Sequence, residues 1–157
     1  MEKMLVRGVT KDTDTARISI VGVPDVPGVA YKIFSKLAAK DINVDIILQS
    51  VGRDGTKDIS FTVGGSDADD AVEILGALEL TAGLEIVKDT NVAKISVVGA
   101  GMETHPGTAS QMFEALFNAD INIQMISTSE IKITVLIAKE AADRAVGAVH
   151  RAFFPEE

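Results

Sequence analysis

The chain has 157 residues, which suits one larger domain or two small ones sharing an interface; 46% are apolar and only 4% aromatic, so a core here is built of Val, Ile, Leu and Ala. A net charge of −8 argues against nucleic acid or an anionic membrane as a partner, and the lack of cysteine excludes disulfides, thiolate chemistry and cysteine-ligated metal. No apolar run approaches the roughly 20 residues of a membrane span, and Met1-Glu2-Lys3-Met4 lacks a signal peptide's apolar stretch, so a cytoplasmic protein is expected.

Residues 5–10 (LVRGVT) read as a short strand and 11–15 (KDTDT) as a polar turn. Residues 16–23 alternate and are β-branched, which predicts a strand. Pro24-Asp25-Val26-Pro27-Gly28 is a loop, because two prolines and a glycine do not fit a central strand. Apolar residues at 29, 30, 33, 34, 37 and 38 then line one face of a helix ending near Lys40-Asp41. Residues 43–51 predict a strand, Gly52-Arg53-Asp54-Gly55 a turn, and 58–63 its hairpin partner. Ser66 or Asp67 caps a second helix whose apolar face is Ala71, Val72, Leu75 and Leu78. Residues 83–88 close the unit as a strand. The order is βαββαβ. The remainder repeats most of it: strand 93–98, loop 99–107, helix 108–118, strands 121–128 and 130–137, helix 140–152.

The repeat is explicit. Asp41-Ile42-Asn43-Val44-Asp45-Ile46-Ile47 returns as Asp120-Ile121-Asn122-Ile123-Gln124-Met125-Ile126. Pro27-Gly28 with Ile33-Phe34 returns as Pro106-Gly107 with Met112-Phe113, and Ile18-Ser19-Ile20-Val21-Gly22 as Ile95-Ser96-Val97-Val98-Gly99. The second copy is one strand short and the N-terminus holds one strand over. The economical arrangement lets that strand complete the second sheet. The expected domains are therefore 16–90, and 91–157 joined by the strand at 4–10.

Two βαββαβ units with Pro-Gly at the first strand-to-helix turn resemble the ACT domain, a family of small amino-acid-sensing modules. The expected fold is thus α+β, two ferredoxin-like ACT domains. Arg7-Gly8-Val9, Asp25-x-Pro27-Gly28, Asn43-Val44-Asp45 with Leu48-Gln49, Val98-Gly99-Ala100-Gly101-Met102 with His105-Pro106-Gly107, and 126–133 (ISTSEIKI) are similar to the tandem ACT region of aspartate kinase. The resemblance implies the regulatory half of that kinase or its small β subunit. It implies allosteric feedback inhibition by threonine, lysine or both, a homodimer through ACT domains, and a catalytic α subunit as partner. It places a threonine site on Asp25, Gly28, Val29, Ala30 and Gln49, facing Asn122 and Ile123. A second site, for lysine or another threonine, falls on Met102, His105, Pro106, Gly107, Thr108, Ala109, Ser129 and Glu130, facing Asn43, Val44 and Asp45. Relatives often carry Thr and Glu where this chain has Ala109 and Gln111.

Physical chemistry suits such sites. A loop entering a helix offers unpaired N–H groups and a positive dipole end to a carboxylate. Gly28 and Gly107 let a ligand approach the backbone, Asp25 can take an ammonium, and Gln49 can donate to and accept from a hydroxyl. Asp45 and Glu130 together suit an ε-ammonium. Asn43 and Asn122, each within an apolar predicted strand, need partners if buried. Against this, Pro-Gly is usually only a turn, His105 a surface loop residue, and His150 structural or solvated. Asp67, Asp69 and Asp70 read as helix-start charges. Thr104 stands where a dinucleotide fingerprint wants a third glycine. No catalytic constellation, cofactor motif or metal-ligand spacing emerges. The rival readings are an ACT sensor of another metabolic enzyme, and a small ferredoxin-like enzyme using His105 and Glu130 as an acid–base pair.

Overall fold

The structure, a computed structural model, describes residues 6–99 and 107–155. Two compact units divide it: Asp14–Thr90, and Met1–Thr13 with Asn91–Glu157. Each is a four-stranded antiparallel sheet with two helices.

In the first unit, β1 (Val6–Pro24) contributes its second half, followed by α1 (Val29–Ala39), β2 (Ile47–Gln49), β3 (Thr56–Gly64), α2 (Ala68–Ala77) and the start of β4 (Glu85–Gly99). The sheet order is β2-β3-β1-β4. Along β1, Ala16, Ile18 and Ile20 are fully buried, while Arg17, Ser19 and Val21 are not. This two-residue period puts one face on the core. Against it pack Ile33 and Leu37 of α1, Ala71 and Leu75 of α2, and Ile59 and Phe61 of β3. Phe34 meets Phe61 edge to face at 5.3 Å.

The second unit takes the first half of β1, the rest of β4, α3 (Gly107–Asn118), β5 (Met125–Thr128), β6 (Lys132–Ala138) and α4 (Ala142–Phe153). Its order is β1-β4-β6-β5. Val6 of β1 joins a core of Ile95, Val97, Met112, Leu116, Val135, Ile137 and Val149. Ion pairs mark the β1–β4 neighbourhood inside each unit: Asp12 with Lys94 at 3.8 Å, and Arg17 with Asp89 at 3.6 Å.

Several expectations are corrected here. Residues 11–15 do not turn; β1 runs through them without a break. Their polarity reflects exposure of 11–14, and strand geometry needs only the ladder, not apolar side chains. The strands expected at 83–88 and 93–98 are likewise one, β4, beginning at Glu85. The strands expected at 43–51 and 121–128 shrink to β2 and β5, because each is preceded by an irregular run at 42–46 and 121–124. The helices stand as read, with short 3₁₀ turns before α2 and α4. Asp67 occupies the N-cap position of α2 without a side-chain cap bond. Residues 5 and 100–106, within the expected first strand and the expected loop, lie outside the described residues.

The irregular runs have a common cause. After α1, Asp41 adopts a left-handed conformation at φ 60°, its N–H donating to Ala38 O at 2.9 Å while Ile42 N–H donates to Leu37 O at 3.1 Å. After α3, Asp120 has φ 60°, with Asp120 N–H to Phe117 O at 3.0 Å and Ile121 N–H to Leu116 O at 2.9 Å. These are Schellman endings, which satisfy two orphan carbonyls of each helix. The following isoleucine tucks back into the core, with Ile42 at 6% and Ile121 at 7% exposure. Asn43 and Asn122 come next and are exposed, so neither is the buried strand asparagine that the apolar context suggested.

Candidate functional site

In the first unit, β1 ends in a bulge. Pairing with β3 shifts between Ile20 and Val23, where Gly22 takes φ 81° and donates its N–H to Asp58 Oδ1 at 2.9 Å. Register then resumes with Val23 opposite Lys57 and Pro24 opposite Thr56. Asp25 follows, its N–H donating to Gly55 O at 2.9 Å. Gly28 stands at the N-cap of α1 with φ 92° and ψ −7°, a left-handed conformation that favours glycine. The first helical bond is Lys32 N–H to Gly28 O at 3.0 Å, and no side chain caps the N-terminus. The N–H groups of the first turn therefore lack intrahelical acceptors and carry the positive end of the helix dipole. Val29 is buried and Ala30 half-buried.

Gln49 ends β2 opposite Ile59 and is exposed. Because β3 is antiparallel to both β1 and β2, the C-terminal ends of β1 and β2 lie at the same end of the sheet. Gln49 and the Asp25–Gly28 loop are thus at one end of one unit. Asp25 is held further by Lys57, with Nζ 3.3 Å from Oδ1. Neither Gly52 nor Lys57 was singled out by sequence reasoning. Gly52 looked like turn material, and a lysine in a hairpin strand carries no signal of its own.

Asn122 and Ile123 belong to the other unit, where Asn122 is exposed and Ile123 packs partly against the core. In that unit Gly107 opens α3 and is exposed, Thr108 is buried with 7% exposure, and Ala109 is half-buried. Met102, His105 and Pro106 lie outside the described residues. Ser129 closes the β5–β6 turn: its N–H donates to Lys132 O at 2.9 Å, and its Oγ accepts from Lys132 N–H at 3.2 Å. That hydroxyl already has a structural task. Glu130 is exposed beside it. Gln111 donates its side-chain N–H to Ala152 O at 2.8 Å, tying α3 to the end of α4. Asn43 and Asp45 are exposed in the first unit, with Val44 half-buried between them and Asp45 N–H donating to Thr62 O at 3.1 Å. His150 on α4 lies against Phe154, ring centroids 4.8 Å apart.

Among the described residues, two of the surface grooves are lined mainly by helix residues and contain none of the expected site residues. One, of about 810 Å³, runs between Tyr31, Lys32 and Ser35 of α1 and Leu78-Glu79-Leu80. The other, of about 390 Å³, is lined by Ala115, Asn118 and Ala119 at the end of α3 and by Ala148, Arg151 and Ala152 of α4. Among the described residues, no three His, Cys, Asp or Glu gather where a metal could be held, and no helix is long and apolar enough to cross a membrane.

The ACT domain family matches residues 18–77 and 95–153. The aspartate kinase of Stutzerimonas stutzeri is 47% identical over 154 residues, covering 98% of this chain and 37% of that protein. The chain thus spans a little over a third of the length of the curated relatives it matches. The ligand-free regulatory subunit of aspartate kinase from Thermus thermophilus superposes with TM-score 0.88 at 40% identity, covering 94% of this chain and 98% of that one. A structure of aspartokinase alpha and beta subunits gives TM-score 0.87 at 45% identity, again over 94% and 98%.

Proposed function

The chain belongs to the ACT domain family, among the regulatory regions of aspartate kinases, and from that premise we propose that it is a feedback sensor binding free threonine. The observation that carries this reading is the loop at the start of α1. Gly28 in a left-handed conformation brings an uncapped helix N-terminus next to Asp25, at the same sheet end as Gln49. That set matches a zwitterion with a hydroxyl. The carboxylate takes the helix N–H groups, the ammonium takes Asp25, and the hydroxyl takes Gln49. Asn122 and Ile123 complete the site in this reading. The second site, on Met102, His105, Pro106, Gly107, Thr108, Ala109, Ser129 and Glu130 with Asn43, Val44 and Asp45, takes lysine or a second threonine. There Asp45 and Glu130, both exposed, supply charge for an ε-ammonium.

The whole protein then works by linkage in the cytoplasm. The effector favours one arrangement of an ACT-paired homodimer, and the associated aspartate kinase catalytic subunit shifts towards an inactive state. A coupling of about 1–3 kcal/mol corresponds to roughly 5- to 150-fold inhibition. Calorimetric titration of the purified chain with threonine, then lysine, tests this. Saturable binding of threonine that is lost in Gln49→Ala supports the first site. Absence of heat from either amino acid up to millimolar concentration overturns the assignment of effectors.

A further inference from the structure

We propose that Gly52 and Lys57, on the β2–β3 hairpin, position the Asp25 carboxylate to receive the effector's ammonium; this rests on the reading above, in which Asp25 is the ammonium's partner. Three observations converge on Asp25. Its N–H is tied to Gly55 O at 2.9 Å. Its Oδ1 lies 3.3 Å from Lys57 Nζ, on a lysine side chain only 17% exposed, whereas Asp25 itself is 43% exposed. The stem of Lys57 is therefore packed and its ammonium is a fixed point. Finally, Gly52 leaves room for the carboxylate: a Cβ at residue 52 would fall on it, 2.6 Å from Asp25 Cγ.

Gly52 has an ordinary φ, unlike Gly55 at 82°, so its backbone does not call for glycine. The nearest atoms to the missing side chain all belong to Asp25. A side chain at 52 would push that exposed carboxylate aside. An ion pair this exposed contributes only about 0–1 kcal/mol to stability, so its consequence is orientation. A carboxylate offers about four lone-pair sites, and Lys57 occupies one side while leaving the rest to a ligand. The two hairpins differ in length. β5 and β6 are joined by residues 129–131 alone, whereas β2 and β3 extend through an Arg53–Thr56 bridge towards Asp25.

The test is threonine titration of the full chain as Gly52→Ala, Lys57→Met, Lys57→Arg, Asp25→Asn and Gly52→Ala/Asp25→Asn, each with a thermal melt. Sub-ångström to ångström misplacement predicts about tenfold weaker binding for Gly52→Ala and about fivefold for Lys57→Met, with Lys57→Arg near the parent. Melting midpoints should stay within a few degrees. The double variant should bind no more weakly than Asp25→Asn alone, since the effect passes through that carboxylate. If Gly52→Ala and Lys57→Met keep full affinity while Asp25→Asn loses it, the positioning role is overturned and the site reading stands. If the parent does not bind, or Asp25→Asn binds normally, the reading itself falls and takes this inference with it. Should Gly52→Ala unfold, the Lys57→Met and Lys57→Arg pair decides.

Discussion

Asp41 and Asp120 show how a repeat can be legible while its reason is not. The repeated Asp-Ile-Asn was the strongest sequence signal, and an asparagine inside an apolar strand invited a ligand-contact reading. In the structure the repeated aspartate ends a helix in the left-handed region, and the repeated isoleucine is its hydrophobic anchor. Aspartate, like asparagine, tolerates that region better than branched residues, which is why glycine was not needed as the marker. The left-handed aspartate and the isoleucine after it delay the start of β2 and β5. Asp120→Val should therefore cost about 1–2 kcal/mol, while Asp120→Gly should not destabilise. Urea denaturation of the two variants checks this, and equal losses would rule out the conformational cause. The buried Ser96–Thr134 hydroxyl pair at 2.8 Å, with Ser19–Ser60 at 2.8 Å in the first unit, is a second repeated pair. Its serines were visible in the repeat, but their cross-strand partners were not.

At the scale of elements, the helices were easy because their cores are periodic. Val29, Ile33 and Leu37 on α1, and Thr108, Met112 and Leu116 on α3, recur at four-residue steps and are buried. Ile33 and Met112 occupy matching positions of the repeat and both are wholly inaccessible. Each changed to Ala should lose about 2–5 kcal/mol, from lost transfer energy and the cavity left behind. Chemical denaturation would show it; a loss below 1 kcal/mol in either would mean that the helix does not seat as described. Strand ends were harder. β1 carries exposed Lys11, Asp12, Thr13 and Asp14 inside one continuous strand, and polar side chains there mimic a turn. Charge pairing explains their tolerance, for Lys11 meets Asp143 and Asp12 meets Lys94 within the same unit. In the candidate site, the loop was readable because two prolines and a glycine break the strand pattern, although β1 carries on to Pro24. The hairpin hold on Asp25 was not, since it depends on register between residues thirty positions apart.

For the molecule as a whole, the question is what covers the edges. β2 is an edge strand of three residues whose Ile47 and Leu48 are 49% and 47% exposed, with Val51 beyond it at 92%. Its shortness limits pairing, but its apolar residues carry no charge to oppose it. A net charge of −8 discourages indiscriminate association, so whatever pairs with that edge must do so specifically. The edge therefore suits the homodimer proposed above. Leu48→Lys would then place a charge in that contact and shift the chain to monomer. Light scattering at matched concentration reads this directly. A parent that is already monomeric, or a Leu48→Lys dimer unchanged from it, would place the dimer elsewhere or nowhere. If the variant is monomeric and its threonine affinity falls as well, pairing and effector binding are linked. Sensing would then belong to the assembled pair and not to one chain, as reciprocal linkage requires.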